Sequence, residues 1–165
     1  MIALELSAYG ISAELPDGWE GTITRREEPG AGARAPDGAT LAVERTYPIA
    51  HLGNFPLPPD RGDFGSGAVE TMGPNDVFVC LFEYGPESVG LPLFATEGMP
   101  RTIDPALFSA AQLQRTIRGQ AGYQTFFTEA GRAFTLFVVL GNRGRTAELV
   151  PTVDAALAAI VIEPR

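Results

Sequence analysis

Two stretches of the chain are apolar at nearly every position, and they organise the rest of the sequence. Residues 77–84 read Val-Phe-Val-Cys-Leu-Phe-Glu-Tyr, and residues 133–140 read Ala-Phe-Thr-Leu-Phe-Val-Val-Leu. Alternate side chains of a strand point to opposite faces of its sheet, so this pattern is typical of strands buried on both faces. We therefore expect the two segments to be neighbouring central strands with a packed layer on each side.

A helix over residues 149–160 is predicted to supply one of these layers. Its apolar residues recur at steps of three and four, as on one face of a helix; they are Val150, Val153, Leu157 and Ile160. Thr146 is the candidate N-cap. Pro151 would then fall just past the first turn, which favours a later start near residue 150. Residues 160–162 are predicted to form a short closing strand.

Shorter strands and turns are predicted along the rest of the chain from alternating apolar and polar residues. The pattern predicts strands at residues 2–6, 9–15, 21–26 and 40–49, and another from residue 123 that turns at residues 129–132 into residues 133–140. Pro16-Asp17-Gly18 is a turn signal. Residues 68–72 are predicted to form one helical turn. Residues 107–117 fit a helix or a strand, and we favour the strand.

Three segments lack periodicity and are predicted to be loops. They are residues 27–38, 51–67 and 85–101, and the last two are rich in proline and glycine. These two carry large apolar side chains: Phe55, Leu57, Phe64, Leu91, Leu93 and Phe94. Two interpretations are open. The side chains form a patch that contacts another protein, or they fold back and cap the sheet as Ω-loops do.

Length and composition are those of one globular domain, which we expect to span residues 1–165. A chain of 165 residues buries enough surface to fold without a metal or a disulfide staple. Its pattern of elements predicts an α+β fold, with a mostly antiparallel β-sheet of six to eight strands and helices packed on it.

The net charge of −8 excludes two classes of partner. All 12 basic residues are arginines, against 20 acidic residues. A surface of this sign is repelled by nucleic-acid phosphates and by anionic lipids, so neither nucleic acid nor membrane is an expected partner. No apolar run approaches the roughly 20 residues that span a bilayer. If residue 1 is the true start, the sequence carries no secretory leader, and we expect a cytoplasmic protein.

Reactive side chains are few. Cys80 with His51 suggests a thiol nucleophile and its base, but Cys80 lies inside an apolar strand, where a thiol stays protonated and inert. We expect His51 to be exposed at a strand end. Asp60 and Asp63 lie near it in sequence, without a recognised metal-ligand spacing. The sequence thus predicts no catalytic residue, no metal and no cofactor.

The loop of residues 141–146 is a candidate anion site. It precedes the predicted helix, whose free N–H groups favour an anion, and it offers Arg143, Arg145 and Thr146 as ligands. The alternative is a solvated turn whose glycines adopt positive φ. Other arginines (Arg115, Arg118 and Arg132) are predicted at the surface, where Arg132 would pair with Glu129 across the hairpin turn.

Two parts of the sequence resemble the PsbP-like superfamily, which includes the photosystem extrinsic proteins and the Ran-binding Mog family. One is residues 9–19, Tyr-Gly-Ile-Ser-Ala-Glu-Leu-Pro-Asp-Gly-Trp, and the other is the order of hairpin, loop, helix and strand over residues 123–162. The resemblance implies an antiparallel sheet between helices, an α-β-α sandwich, and a non-enzymatic binding or assembly role. It transfers no functional residue.

Two functional hypotheses follow. The first is a non-catalytic protein-interaction or assembly module, self-association included, that contacts its partner through the apolar loops 51–67 and 85–101. The alternative is a small-molecule or anion binder that uses the loop of residues 141–146. A hydrolase ranks third, because no nucleophile–base set is visible.

Overall fold

Eight strands and one α-helix form the regular structure of residues 3–25 and 47–165, which are the part of the chain that the computed structural model describes. The strands are β1 (Leu4–Ala8), β2 (Ile11–Leu15), β3 (Glu20–Arg25), β4 (Pro48–Gly53), β5 (Val77–Glu83), β6 (Ala121–Glu129), β7 (Arg132–Leu140) and β8 (Ile160–Ile162), and the helix is α1 (Thr146–Ala158). The predicted loop 27–38 and residues 40–46 of the predicted strand 40–49 lie outside the described residues.

The strands β5 and β7 are neighbours inside a five-stranded antiparallel sheet of order β3-β4-β5-β7-β6. Cys80 lies opposite Phe137 in their register. Every residue of β7 is buried, and in β5 only Phe82 is partly exposed. The prediction of two adjacent strands covered on both faces is therefore confirmed, as is the hairpin that joins β6 to β7.

The inner face of this sheet is the one that α1 covers. Val79, Leu81 and Val138 point to it and belong to the same buried cluster as Val153 and Leu157 of the helix. Burying an aliphatic side chain of this size stabilises the fold by roughly 1.5–3 kcal/mol. The predicted helix on one face of the sheet is thus confirmed.

The helix begins earlier than predicted. Its first residue is Thr146, so the later start that Pro151 favoured is wrong, and Pro151 lies inside the helix. Thr146 is not the N-cap either. That position is Arg145, which makes no capping side-chain hydrogen bond. The capping side chain lies upstream, because Asn142 accepts a backbone N–H at the start of a 3-10 turn that leads into α1.

The outer face of the sheet is covered by loop. Phe78, Cys80 and Phe137 point to it and form a second buried cluster with Phe55 and Ala68 of the segment that follows β4. In the described part of the chain, residues 54–72 cover this face with a series of bends and turns and one 3-10 turn (Val69–Thr71), which is the helical turn predicted there.

A smaller sheet of order β1-β2-β8 joins the inner-face cluster, so the strands are divided between two sheets. Arg132 links them. Its guanidinium is buried and binds both carboxylate oxygens of buried Glu83, at 3.0 and 2.7 Å. Its remaining N–H groups donate to the carbonyls of Tyr9, Gly10 and Glu163. The prediction of an exposed Arg132 paired with Glu129 is wrong, since Glu129 pairs with Arg101.

The mostly antiparallel α+β class is confirmed, but two further local predictions are wrong. Tyr9, predicted in a strand, is a turn residue with φ of 55° that joins β1 to β2. Residues 107–117 are not a strand. They contain the 3-10 turn Ala110–Gln112, and only Ser109 forms a bridge, with Gly122 of β6.

Candidate functional site

A cavity of about 250 Å³ opens on the outer face of the five-stranded sheet, and we call it the outer pocket. Its apolar lining comes from three elements that are distant in sequence. The floor is β7, one wall is the segment after β4, and the other wall is the segment before β6. Its apolar residues are Phe64, Val69, Leu113, Phe137 and Val139.

The floor follows from strand alternation. Phe137 and Val139 are two residues apart on β7, so both side chains face outward. Gly122 of β6 lies opposite Val139 and has no side chain to fill the adjoining space. A Cβ on Gly122 would lie 2.8 Å from Cδ2 of Leu113. The glycine thus lets the Leu113 wall approach the sheet.

The opposite wall is held by aromatic packing. The ring of Phe64 stacks on Phe82 at 5.1 Å and meets Phe137 edge-on at 6.1 Å. Gly65 adopts a φ of +89°, and a Cβ there would lie 2.5 Å from the ring of Phe78. This close approach brings the segment down onto the sheet and fixes where Phe64 enters the pocket.

One polar side chain of the pocket has an atom without a partner. Gln120 lines the pocket and is only 4% exposed. Its Nε2 donates to the carbonyl of Val69 at 2.7 Å, while its Oε1 is buried and makes no hydrogen bond. The amide is not free to flip, because the carbonyl of Val69 can only accept. An unsatisfied buried acceptor costs roughly 1–3 kcal/mol.

An ion pair crosses the rim of the pocket. The guanidinium of Arg115, on one wall, binds the carboxylate of Glu70, on the other. The other oxygen of Glu70 accepts the backbone N–H of Gly67 at 2.6 Å. Arg115 is exposed, as predicted for a surface arginine, and it also ties the two walls together.

A buried polar group anchors the Phe64 wall to the sheet. His51 of β4 accepts at Nδ1 from Nε of Arg61 at 2.8 Å, and its Nε2 lies 2.7 Å from the carbonyl of Asp63. Arginine only donates, so Nδ1 must be the unprotonated nitrogen and Nε2 the donor. Arg61 also donates to Thr22 of β3 at 2.6 Å.

The prediction of an exposed His51 is wrong, since the residue is 6% exposed and lies on a central stretch of β4. Burial lowers its pKa from the ordinary value of 6.5; the hydrogen bond to the Asp63 carbonyl opposes this shift, and the nearby Arg61 charge adds to it. The net lowering of the pKa favours the neutral ring that the hydrogen bonds require.

Cys80 is a core residue, as predicted. It is fully buried, donates to the carbonyl of Asp63 at 3.2 Å, and its pKa is raised well above the ordinary value by burial. Among the described residues, no group of three or more histidine, cysteine, aspartate and glutamate side chains is arranged to hold a metal ion.

The six apolar loop residues are not brought together. Phe55 and Phe94 are buried, and Leu57 and Phe64 pack against the outer-face cluster. These four cap the sheet. Only Leu91 and Leu93 are exposed, by 49% and 58% of their surface.

The predicted anion site is largely occupied by the protein itself. The guanidinium of Arg145 binds the carboxylate of Glu148 and the side chain of Asn75, and the hydroxyl of Thr146 donates to the carbonyl of Arg143. Arg143 is exposed. Gly141, in the same loop, does not have the positive φ that we expected.

Gly141 is required for a close contact instead. A Cβ built on it would lie 1.9 Å from the carbonyl oxygen of Gly73. Its backbone N–H donates to the carbonyl of Asp76 at 2.8 Å. The loop is therefore shaped by backbone packing against the segment before β5.

A scan of the sequence against protein-family models gave no match, and searches of curated proteins and of solved structures gave none either. The resemblance to the PsbP-like superfamily therefore stays a prediction. Within residues 3–25 and 47–165, no helix is both long and apolar enough to cross a membrane. The cytoplasmic location and the absence of nucleic-acid binding also stay predictions.

Proposed function

We propose that the protein is a non-catalytic binding protein whose ligand is a small molecule held in the outer pocket. The observation that carries this proposal is the pocket itself, a concavity built on a rigid sheet and lined by five apolar side chains together with polar and charged ones. Ligand sites commonly have this composition. The proposal keeps the small-molecule hypothesis but moves it away from the loop of residues 141–146, where Glu148 already neutralises Arg145.

The size of the pocket supports a ligand larger than a solvent molecule. An apolar cavity of about 150 Å³ accommodates benzene. The outer pocket measures about 250 Å³, so a single aromatic ring with a few further atoms fits. Of the four loop residues that cap the outer face, Phe64 lines this space.

The side chains around the pocket favour binding over chemistry. Glu70 and Arg115 neutralise each other at the rim. His51 is the chain's only histidine, and both of its ring nitrogens are engaged. The hydroxyl of Ser66, which lines the pocket, is thus offered no histidine base.

A ligand-detected NMR screen of small aromatic and aliphatic compounds tests the proposal. We expect hits on the wild-type chain whose affinity falls at least about tenfold in Ser66→Trp, because Ser66 is exposed at the rim and tryptophan would fill the mouth. Ser7→Trp, on the exposed side of β1, is the matched control and should bind like wild type. No hits, or hits unaffected by Ser66→Trp, would contradict the proposal.

A second candidate function is protein contact through the segment after β5. Val89, Leu91 and Leu93 are exposed there, between residues that are held by 3-10 turns. Exposed apolar side chains on a rigid segment lose little entropy on binding. Light scattering across a concentration series tests self-association. Leu91→Ser plus Leu93→Ser should abolish it, whereas Val161→Ser, an equally exposed apolar position on β8, should not.

A further inference from the structure

The wall of the outer pocket that carries Phe64 is connected to β4 by a contact between a histidine and an arginine. Nε of Arg61 donates to the unprotonated Nδ1 of His51 at 2.8 Å. Residues 61–70, which form this Phe64 wall, supply five of the residues that line the pocket: Asp63, Phe64, Ser66, Val69 and Glu70. We propose that protonation of His51 loosens the Phe64 wall and thereby weakens ligand binding in the outer pocket. This inference rests on the proposed function and concerns the regulation of the same site.

Protonation makes the contact between His51 and Arg61 repulsive. A protonated imidazole carries a hydrogen on both nitrogens, so Nδ1 would present an N–H to the N–H of Arg61. Two donors of equal charge would then lie 2.8 Å apart beside a buried ring. Arginine keeps its proton at every pH of interest, so the guanidinium must move away. The ring stays in place, because Nε2 still donates to the carbonyl of Asp63.

The charged groups around His51 come from two elements. In the Phe64 wall, the charge of Arg61 disfavours the protonated ring and the carboxylate of Asp63 favours it. From β3, the carboxylate of Glu20 acts on the guanidinium of Arg61 and favours its charged form. Arg61 is therefore charged when the histidine takes up its proton, and the two like charges meet.

The neighbours on the strands beside His51 are neutral. Thr22 lies opposite it on β3, and Cys80 lies opposite it on β5. The pKa of the Cys80 thiol is raised by burial, so the thiol carries no charge. The ring of Phe78 lies 5.4 Å from that of His51. Burial is the largest influence on His51 and lowers its pKa, so the switch acts below about pH 6.5.

Arg61 transmits the change to the pocket. Its guanidinium also donates to Thr22 of β3 and to the carbonyl of Pro58, both at 2.6 Å. The residues after it form tight turns, in which Gly62 donates to the carbonyl of Ser66 and Gly65 to that of Gly62, both at 2.9 Å. When Arg61 leaves its position, these turns lose their hydrogen bonds to β3 and β4 at one end. The pocket residues that the turns carry are then held less firmly.

Hydrogen exchange tests the release of the wall without a ligand. His51 is the chain's only histidine, so NMR follows its titration without ambiguity. We expect the protection of the Gly62 and Gly65 amides to fall about tenfold as the ring is protonated, as for the loss of a hydrogen bond to a charged group. The amide of Val138, in the central strand β7, should remain the best protected of the three at every pH, because the release is local.

Benzene measures the effect on the pocket. It is uncharged at every pH and occupies apolar cavities of about 150 Å³, smaller than the outer pocket. Calorimetry or NMR titration should give an affinity about tenfold lower when His51 is protonated than when it is neutral. By linkage, saturating benzene should lower the pKa of His51 in the wild-type chain, a result that needs no variant. In His51→Gln, the affinity should be the same at both pH values.

The outcomes separate the inference from the proposed function. A His51 ring that stays neutral until the protein unfolds in acid would overturn the inference, as would amide protection of the Phe64 wall that does not follow the titration. Benzene binding that does not depend on His51 protonation would overturn the coupling and leave the pocket function intact. If neither benzene nor any compound of the wider screen binds at neutral pH, the proposed function fails, and hydrogen exchange alone decides whether the wall is released.

Discussion

Single residues set the distances between neighbouring segments in this protein, and Gly141 is the sharpest case. Its α-carbon faces the carbonyl of Gly73 so closely that any side chain must displace backbone. Backbone is less able to move than a flexible side chain, so the clash cannot be relieved locally.

We expect Gly141→Ala to lower the free energy of unfolding by about 3 kcal/mol, at the upper end of the cost of overpacking. Urea denaturation followed by circular dichroism measures this. Gly144→Ala is the matched control, because its Cβ would meet only the side chain of Asn142, at 3.2 Å. That variant should change stability by less than about 1 kcal/mol. Equal effects would mean that the contact with Gly73 is not the cause.

His51 makes stability depend on pH. Its pKa is lowered in the folded protein, chiefly by burial, so the unfolded chain binds the proton more strongly. Stability is then fully present above about pH 6.5, the unfolded value, and is lost as the pH falls from there toward the lower folded pKa. Protonation at Nδ1 would also remove the acceptor of Arg61.

The measurement is the midpoint of thermal unfolding between pH 7.5 and 5. We expect it to fall below about pH 6.5 in the wild-type chain. The variant His51→Gln keeps a hydrogen-bond donor and an acceptor at this position but has no group that titrates in this range. Its unfolding midpoint should therefore change less with pH between about 6.5 and 5 than that of the wild-type chain. A wild-type profile that is already flat down to pH 5 would contradict the assignment.

At the scale of elements, the turn between β6 and β7 carries strain that a substitution can relieve. Ala130 and Gly131 both have positive φ, 54° and 73°, as a type I′ turn requires. In an alanine, this left-handed backbone conformation costs roughly 1–2 kcal/mol of steric strain, whereas asparagine adopts it more readily.

We expect Ala130→Asn to raise the free energy of unfolding by about 0.5–1 kcal/mol, because Asn-Gly is the preferred type I′ pair. Chemical denaturation checks this directly. In the β1–β2 turn, Tyr9→Asn should gain less, because the ring of Tyr9 lies against the guanidinium of Arg25, 5.4 Å from its centre. A loss of stability in Ala130→Asn would show that the methyl group's packing outweighs the backbone strain.

Elements with local signals were predictable, and elements shaped by distant contacts were not. The strands β5 and β7, the hairpin turn and α1 follow from runs and periods within a dozen residues. The strand predicted at residues 107–117 is wrong because this segment is built from 3-10 turns. Its apolar residues do not share one face: Phe108 packs in the inner-face cluster and Leu113 against the outer-face cluster.

The same limit applies to the candidate site. The sequence pattern allowed both a capping role and a contact role for the apolar loop residues. Only the fold shows that Phe55 and Phe94 are buried against the sheet whereas Leu91 and Leu93 are exposed. Gln120 has no sequence signal at all, because its importance comes from burial beside Val69, 51 residues earlier in the chain. His51 was misplaced because the boundary of β4 was predicted too early.

At the scale of the whole molecule, Arg132 links the two sheets, because it pairs with Glu83 of the larger sheet and donates to backbone carbonyls beside the strands of the smaller one. Both side chains are almost fully buried, and Arg132 uses all its donors on Glu83 and three backbone carbonyls. Removing Arg132 leaves the buried carboxylate of Glu83 with only the half-exposed Arg165 as a charged partner.

We expect Arg132→Met to lower the free energy of unfolding by about 3–5 kcal/mol, with little dependence on salt because the pair is shielded from ions. Arg165→Met is the control. Arg165 also binds Glu83, but its side chain is 47% exposed, so its loss should cost less than about 1 kcal/mol. Denaturation at low and high salt measures both variants, and similar costs for the two would contradict the role of Arg132.

The order of strands in the smaller sheet has a consequence for biosynthesis. The middle strand, β2, pairs with β1 on one side and with β8 on the other, and β8 is translated after every other strand. While a ribosome is still making the chain, β2 therefore presents an unpaired edge to the cell, and such edges recruit other chains. A nascent polypeptide stalled before residue 160 should be a better client for chaperones than the finished one.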